Sequence, residues 1–516
     1  MTSGPAFEVG ARRAATGLAR HARQAVLAIA AAALAALLLG LLTGRRDDAD
    51  SQARDAGPAP VSVLIDTRHP GRQVRGRFLG LSFEAAALPQ IARYAERGNL
   101  VKLLRSLGPG VLRFGGVSAD TQVAWSDRRT PPPAWASSTI DARDLRRLGR
   151  LAARTGWKIL LTVGLVHFEP AAAAREVAAA KAALGGHLAA IEVGNEPDAY
   201  AKHDRRPLPW TYANYSAEVS IYRRAIARAA RGIRFAGPGV SGSQIFTAWG
   251  PREARAQRPA LLTGHHYPLG CHQTPAPSID RLLSPETRNL EGLSLERYMS
   301  VSRRSSIRFR MDELGSVSCG GMHGISDAFA SALWATGYIA QAMSTGVAGV
   351  NFQGNPANCT GYSPLCAGSP GRLAAGILGA QPGWYALLLA RALIGARPVP
   401  TTLLPPAQPN VLARAFMSGS GRLRVLILDA EPPGSPPVAL RLRVGRRYRR
   451  AAVLALTAPS PAATTGVRLG GRAVARDGSW SAPATIPQTP ARHGAISITV
   501  APSSAALLSM VAANGR

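Results

Sequence analysis

From residue 76 onward, short and nearly continuous apolar runs alternate with longer amphipathic stretches. The runs are "GRFLGLSFE" (76–84), "VLRFGG" (111–116), "WKILLTVG" (157–164), "LAAIEVG" (188–194), "IRFAGPGV" (233–240), "ALLTGHHYP" (260–268), "IRFRMDELG" (307–315) and "VAGVNFQG" (347–354). Runs of this length and composition fit strands buried on both faces. Helical spacing falls between them at 95–107, 141–156, 171–184, 211–231, 289–303 and 327–344, and again over 374–395. The stretch 141–156 ends in a glycine stop. Counted from Phe78, eight strand candidates alternate with helical segments, which predicts an α/β fold, a parallel (β/α)8 TIM barrel over 76–395.

Past residue 396 the rhythm changes to short runs separated by Gly, Pro and Ser turns, among them "NVLARAFMS", "RLRVLILDA", "VALRLRVG" and "AAVLALTA". This predicts a β-sandwich over 396–516. "VSVLID" (61–66) alternates like a strand and has no sheet of its own, so 60–75 is assigned to the same sandwich. Residues 25–43 form an uncharged apolar run long enough to span a bilayer, preceded by Arg12, Arg13, Arg20 and Arg23. The run exceeds most signal-peptide cores, and "TGRRDD" offers no small-x-small cleavage site, so an uncleaved transmembrane signal-anchor is expected over a cleaved signal. Residues 1–24 would be the cytoplasmic basic N-terminus and 44–59 a linker. The chain is then exported and membrane-anchored with its folded part on the extracytoplasmic side, or secreted if the segment is cleaved.

Composition adds less. At 46% hydrophobic and 18% charged, the 516-residue chain is that of a folded protein. The net charge of +31 fits an anionic partner or simple arginine bias, since the arginines are spread throughout. No basic helix or aromatic–basic array stands out, so nucleic acid is not expected as a partner. No G-x-G-x-x-G opens a helix after an early strand, and no cofactor is expected. In an exported chain the four cysteines suggest two disulfides. Cys359 and Cys366 could close a short loop around "TGYSPL", leaving Cys271 for Cys319. A zinc site is the rival reading, but there is no C-x-x-C, His266 and His272 lack partner spacing, and no metal is expected.

In such a barrel, catalytic groups gather at the C-terminal ends of the strands. "IEVGNEP" ends the fourth strand and "FRMDELG" the seventh, so Glu196 and Glu313 should enter one cleft from opposite sides. Glycoside hydrolysis needs such a pair, one carboxyl protonated to release the leaving group and the other ionised. Asn195 fits a sugar-hydroxyl contact beside the acid. Glu192 and Asp198 are taken as incidental, and Asp312 is expected to face away from Glu313.

These residues carry a resemblance. The ordered set "GLSFE" (80–84), "LRFGGVSAD" (112–120), "VGNEP" (193–197), "GHHYP" (264–268), "DELGSVSCGG" (312–321) and "VNFQG…GYSPL" (350–365) resembles the heparanase/β-glucuronidase family, glycoside hydrolase family 79. The resemblance implies a retaining β-glucuronidase-like enzyme with a barrel and a sandwich built from both chain ends. It implies Glu196 as acid/base, Glu313 as nucleophile, and Glu84 and Asn195 as sugar-hydroxyl binders. Tyr267 would steady the nucleophile, and Gly361 and Tyr362 would meet a uronate carboxylate. The partner expected is a carbohydrate, a glucuronide or acidic glycan. The chain departs from the family at Ser318, followed by Cys319, where members often carry a tyrosine five residues past the nucleophile. That leaves a neutral sugar (xyloside, glucoside or arabinoside) and a non-catalytic anchored glycan-binding protein as the alternatives.

Overall fold

The computed structural model describes residues 60–129, 131–404 and 410–513. Eight parallel strands are present: β1 (Gly80–Glu84), β2 (Val111–Gly115), β3 (Lys158–Val163), β4 (Leu188–Val193), β5 (Ala236–Val240), β6 (Leu261–His266), β7 (Phe309–Leu314) and β8 (Val350–Gly354). They form one sheet in the order β4-β3-β2-β1-β8-β7-β6-β5. Its two ends meet at a bridge between Ile191 and Phe235, where the Ile191 amide donates to the Arg234 carbonyl at 2.8 Å. Pro238 in β5 has no N–H to give to the ladder. The β4–β5 seam is therefore thin, and the barrel nearly closed.

Helices cover the outside. Ala142–Thr155 is set by a capping box, Asp141 accepting from the Asp144 amide and Asp144 accepting from the Asp141 amide, and it ends at Gly156 in the left-handed region. Its Leu145, Leu148, Leu151 and Ala152 are buried against the barrel. Other boundaries differ from the sequence reading. The helix expected over 95–107 begins at Leu100, because Gly98 turns at φ +72° and Asn99 is spent on tertiary bonds. The Asn99 amide nitrogen donates to Leu378 O (2.8 Å) and Arg476 O (3.1 Å), and its oxygen accepts from Leu378 N (2.9 Å). Helix Ser243–Ala256 has no counterpart in the sequence reading, since Gly250 and Pro251 interrupt its pattern. The stretch 374–395 is helical only over Pro382–Arg391, because Gly376 terminates the preceding short helix and Gly379–Ala380 pairs with Leu365–Cys366.

The second sheet is antiparallel apart from one pair. Val61–Ile65 runs parallel to Val438–Arg443 and antiparallel to Thr401–Leu403. On the same path are Val411–Met417, Leu423–Asp429, Tyr448–Thr457, Ala495–Val500 and Ser504–Ala512, together with Gln488–Arg492, which the sequence reading did not mark. Val63, Leu440, Leu442 and Ile496 from one half of the path share a core with Val425, Ile427, Leu508 and Met510 from the other. The sheet thus folds on itself like a sandwich. The loop at 461–463 caps helix Phe329–Thr345, with Phe329 N donating to Ala463 O and Ala330 N to Pro461 O, both at 2.8 Å.

Both disulfides form, Cys359–Cys366 and Cys271–Cys319. The second ties the loop after β6 to the loop after β7. The segments 1–24, 25–43 and 44–59 lie outside the described residues. Among the described residues no helix is long and apolar enough to cross a membrane.

Glu176, on helix Pro170–Leu184, is 7% exposed, and burial alone pushes its carboxyl up to about 8. The folded chain holds that proton to about pH 8, whereas an unfolded chain releases it near 4.5. Between those values the unfolded state binds fewer protons, so stability falls as pH rises. Glu176→Gln is expected to be more stable than wild type by on the order of 1–4 kcal/mol at pH 8 and nearly equal to it at pH 4. Urea unfolding at the two pH values measures this, and equal effects at both would contradict it.

Candidate active site

Arg113 in β2 is fully buried inside the barrel and bonds in every direction. Nη1 donates to Glu313 Oε2 (2.7 Å) and Ser82 Oγ (3.2 Å). Nη2 donates to Glu192 Oε2 (3.0 Å) and Asn195 Oδ1 (2.9 Å), and lies 3.3 Å from His265 Nε2. Nε lies 3.2 Å from Glu192 Oε2 and 3.1 Å from Asp312 Oδ2. Burial opposes the guanidinium charge, but Glu192, Asp312 and Glu313 outweigh it and hold Arg113 protonated. Burial and the adjacent Glu192 charge push Asp312 up to about 8.

Asp312 does not face away from Glu313. The register of β7 slips between Met311 and Glu313 against β6, and between Met311 and Leu314 against β8. This irregularity breaks strict alternation, and both acids reach Arg113. Glu192 is not incidental either. Its Oε1 accepts from Thr263 Oγ1 at 2.6 Å and its Oε2 from Thr162 Oγ1 at 3.1 Å, in addition to Arg113. Asp198 likewise has a task, accepting from the Ser241 amide (3.0 Å) and hydroxyl (2.6 Å) and so fixing the loop after β5.

Glu196 leaves β4 through Gly194 at φ +79° and itself adopts φ +47°, ψ 54°. A left-handed glutamate is strained backbone. It is held by Pro197 on one side and by its amide donating to Gly239 O at 3.0 Å on the other. His265 Nδ1 lies 2.9 Å from Glu196 Oε1 and 3.9 Å from Glu313 Oε1. Protonated His265 carries a hydrogen on both ring nitrogens, and the one on Nδ1 faces Glu196 Oε1. Burial disfavours protonation of His265, but the Glu313 charge and the Glu196 hydrogen bond prevail and push it up to about 9. One oxygen each of Glu196 and Glu313 and a nitrogen of His265 lie within 4.8 Å of one another.

Tyr267 OH donates to Glu313 Oε1 at 2.9 Å. Burial raises the Glu313 carboxyl, but His265, Arg113 and Tyr267 together bring it below its ordinary value and favour its anion. Burial and the Glu313 charge hold the Tyr267 phenol neutral. The Asn195 backbone N–H donates to Asp120 Oδ2 at 2.9 Å, and its side-chain oxygen accepts from Arg113, which turns Nδ2 away from Arg113. Glu84 ends β1 and accepts from the Ser118 amide at 2.9 Å, and burial, with Glu313 adding to it, raises its carboxyl. Tyr362 packs its ring 5.8 Å from that of Tyr267. Gly315 permits this, since a Cβ there would lie 2.8 Å from Tyr267 and 2.9 Å from Tyr362. Gly361 sits against Gly320, and Tyr362 N donates to Gly320 O at 3.3 Å. Ser318 Oγ accepts from Cys271 N at 3.0 Å beside the Cys271–Cys319 disulfide.

Glu196, His265 and Glu313 could present one ligand atom each to a cation, but those atoms already bond to one another and to Tyr267. Cys271, His272 and Cys319 also cluster, with both sulfurs joined to each other. The sequence reading missed Arg113, Glu192, Asp312 and the Glu196 contact of His265. A signal was present, because a charged residue within a strand buried on both faces must have a partner.

No family model matches the chain. A β-glucuronidase of Aspergillus niger (strain ATCC MYA-4892 / CBS 513.88 / FGSC A1513) is 26% identical over 275 residues, which are 49% of this chain and 49% of that protein. The chain thus spans about half the length of the curated relative it matches. Among solved structures, a 4-O-α-L-rhamnosyl-β-D-glucuronidase from Fusarium oxysporum 12S matches with TM-score 0.70 at 18% identity, covering 87% of this chain and 99% of that one. The GH51 arabinofuranosidase of Xanthomonas axonopodis pv. citri matches with TM-score 0.62 at 12% identity, covering 88% and 100%. In sequence the chain is therefore similar to a β-glucuronidase over half its length, and in fold it is a barrel with a sandwich-like second sheet, as those glycoside hydrolases are.

Proposed function

We propose that the chain is a retaining β-glycosidase of the family 79 type, acting on β-linked glucuronides or uronic-acid-containing glycans. The observation that carries this reading is the Glu196–Glu313 pair, with carboxylate oxygens within 4.8 Å on the strand ends of β4 and β7. A retaining pair stands about 5–5.5 Å apart, whereas an inverting pair leaves about 6.5–9.5 Å for a water. Glu313, ionised and aimed by Arg113 and Tyr267, attacks the anomeric carbon. Glu196 protonates the departing oxygen, and the bond from sugar to aglycone breaks as the bond to Glu313 forms. Water deprotonated by Glu196 then cleaves the glycosyl ester and restores both groups. Asn195 Nδ2, turned from Arg113, is placed to donate to the sugar hydroxyl next to the reacting carbon.

The leaving group departs on the Glu196 side. A cavity of about 450 Å³ opens there between Asp198, Gln244, His266, Pro268, Leu290 and Arg297. On the Glu313 side, the disulfide-closed loop of Gly361 and Tyr362 supports a uronate carboxylate met by the Gly361 backbone and the Tyr362 ring. Two disulfides fit an oxidising compartment, consistent with an exported chain. A neutral sugar is the second reading, favoured by Ser318, which stands where family members often carry a tyrosine and whose hydroxyl oxygen accepts from Cys271 N.

Glu313→Ala is expected to lower kcat on 4-nitrophenyl β-D-glucuronide by at least about 10⁴-fold, and retained activity would overturn the assignment. Glu196→Ala should lower kcat/KM by about 10²–10⁴-fold on an alkyl glucuronide but far less on the nitrophenyl one, whose phenolate leaves without protonation, since kcat/KM reports formation of the glycosyl-enzyme and not its hydrolysis. Equal losses on the two substrates would contradict an acid role for Glu196. Tyr267→Phe should reduce kcat by about 10–100-fold with KM little changed, and an effect confined to KM would count against it. Faster turnover of an aryl β-xyloside or α-arabinofuranoside than of the glucuronide would select the neutral-sugar reading.

A further inference from the structure

At the opposite mouth of the barrel, where the strands begin, lies a cavity of about 380 Å³. Its wall carries Arg75, Arg77, Lys158, Arg234, Arg308 and Arg310 and no carboxylate. Arg75, Arg77, Arg234 and Arg308 are exposed, and none of the six forms an ion pair among the described residues. Lys158 Nζ donates to the Gly186 carbonyl. Arg310 forms the floor and is 4% exposed. Its Nε donates to Asn351 Oδ1 (2.5 Å), Nη1 to Arg77 O (3.1 Å), and Nη2 to Val350 O (3.2 Å) and Phe78 O (3.4 Å).

All of these acceptors are neutral. A buried guanidinium satisfied in its hydrogen bonds but lacking a counter-charge is costly. Burial lowers Arg310 to about 9, with only Asp312 opposing. Arg308 is lowered first by burial and then by the like charges of Arg75 and Arg234. The rim arginines therefore repel one another across the opening and would be relieved by an anion between them. Gly76, Ala190, Ala260 and Ala348 line the same wall with minimal side chains and keep it open. Gly80 serves the floor, since a Cβ there would meet Arg310 Nη2 at 2.6 Å.

We propose that this mouth is a binding pocket for a compact phosphoryl anion, held by Arg75, Arg77, Arg234 and Arg308 above Arg310. Planar guanidinium forks match phosphate oxygens two at a time. A phosphate group carries about −1.5 to −2 charges at neutral pH, so two such groups offset roughly half of the positive charge of the wall within the available volume, where carboxylates carry one charge each. The pocket lies in the range of small-ligand sites and lies at the barrel end away from Glu196 and Glu313, so it stands independently of the glycosidase reading.

The test is calorimetric titration of the full chain with tripolyphosphate at fixed ionic strength. Wild type should bind saturably at one site. Arg234→Glu/Arg308→Glu should weaken binding by at least about tenfold per reversed charge. Arg441→Glu/Arg443→Glu, the same change of net charge on the exposed face of the sandwich, should not. If the pocket variant fails to fold, Arg234→Gln/Arg308→Gln replaces it, and circular dichroism with a cooperative thermal transition serves as the fold check. Phosphatidylcholine vesicles with and without phosphatidic acid separate the sources. Vesicle binding that tripolyphosphate displaces and the pocket variant loses assigns the phosphate to a lipid headgroup and keeps the site. Equal weakening in both variant pairs, absence of saturable binding, or vesicle binding indifferent to the pocket variant would each overturn the proposal.

Discussion

Arg113 is the interaction on which the active end of the barrel depends. One fully buried guanidinium binds Glu313, Glu192, Asn195 and Ser82, lies within 3.3 Å of both Asp312 and His265, and so touches β1, β4, β6 and β7 at once. Such a charge would be costly alone in the interior, and it is tolerated because the acids around it need it equally. The consequence is positional. With its orientation taken from the barrel core, Glu313 has little rotamer freedom to lose when a substrate arrives.

The same network gives the two glutamates different surroundings. Glu313 is ringed by donors, Arg113 and Tyr267, which favour its anion. Glu196 sits outside that ring on strained backbone, and its only side-chain partner among the described residues is His265, whose proton faces it. The β4–β5 seam sits beside it. Pro238 weakens the ladder there, Gly239 turns at φ +59°, and the Glu196 amide takes the Gly239 carbonyl. A closed, regular ladder would leave no room for that turn.

Much of this was legible in the chain, for a reason that also explains the gaps. All eight barrel strands announce themselves as apolar runs at regular spacing, and a glutamate at the end of such a run is conspicuous. Helix Ser243–Ala256 was hidden by its own Gly250 and Pro251. Asp312 was misplaced because alternation assumes a regular strand, and β7 slips its register there. Arg113 and Glu192 stand 79 residues apart, so nothing local links them. Each is nevertheless a charge inside an apolar run, and two such charges of opposite sign, on strands destined for one lumen, are the nearest thing to a sequence signature of the pairing.

The most direct test of this account is trapping with a 2-deoxy-2-fluoro β-D-glucuronyl fluoride, which slows hydrolysis of the glycosyl ester more than its formation. Mass spectrometry of the digested protein should find the fluoroglucuronyl group on Glu313, and Tyr267→Phe should slow its appearance. A label on another carboxylate, or none from a reagent that the enzyme hydrolyses, would contradict the role given to Glu313 and the arrangement of Arg113 that serves it.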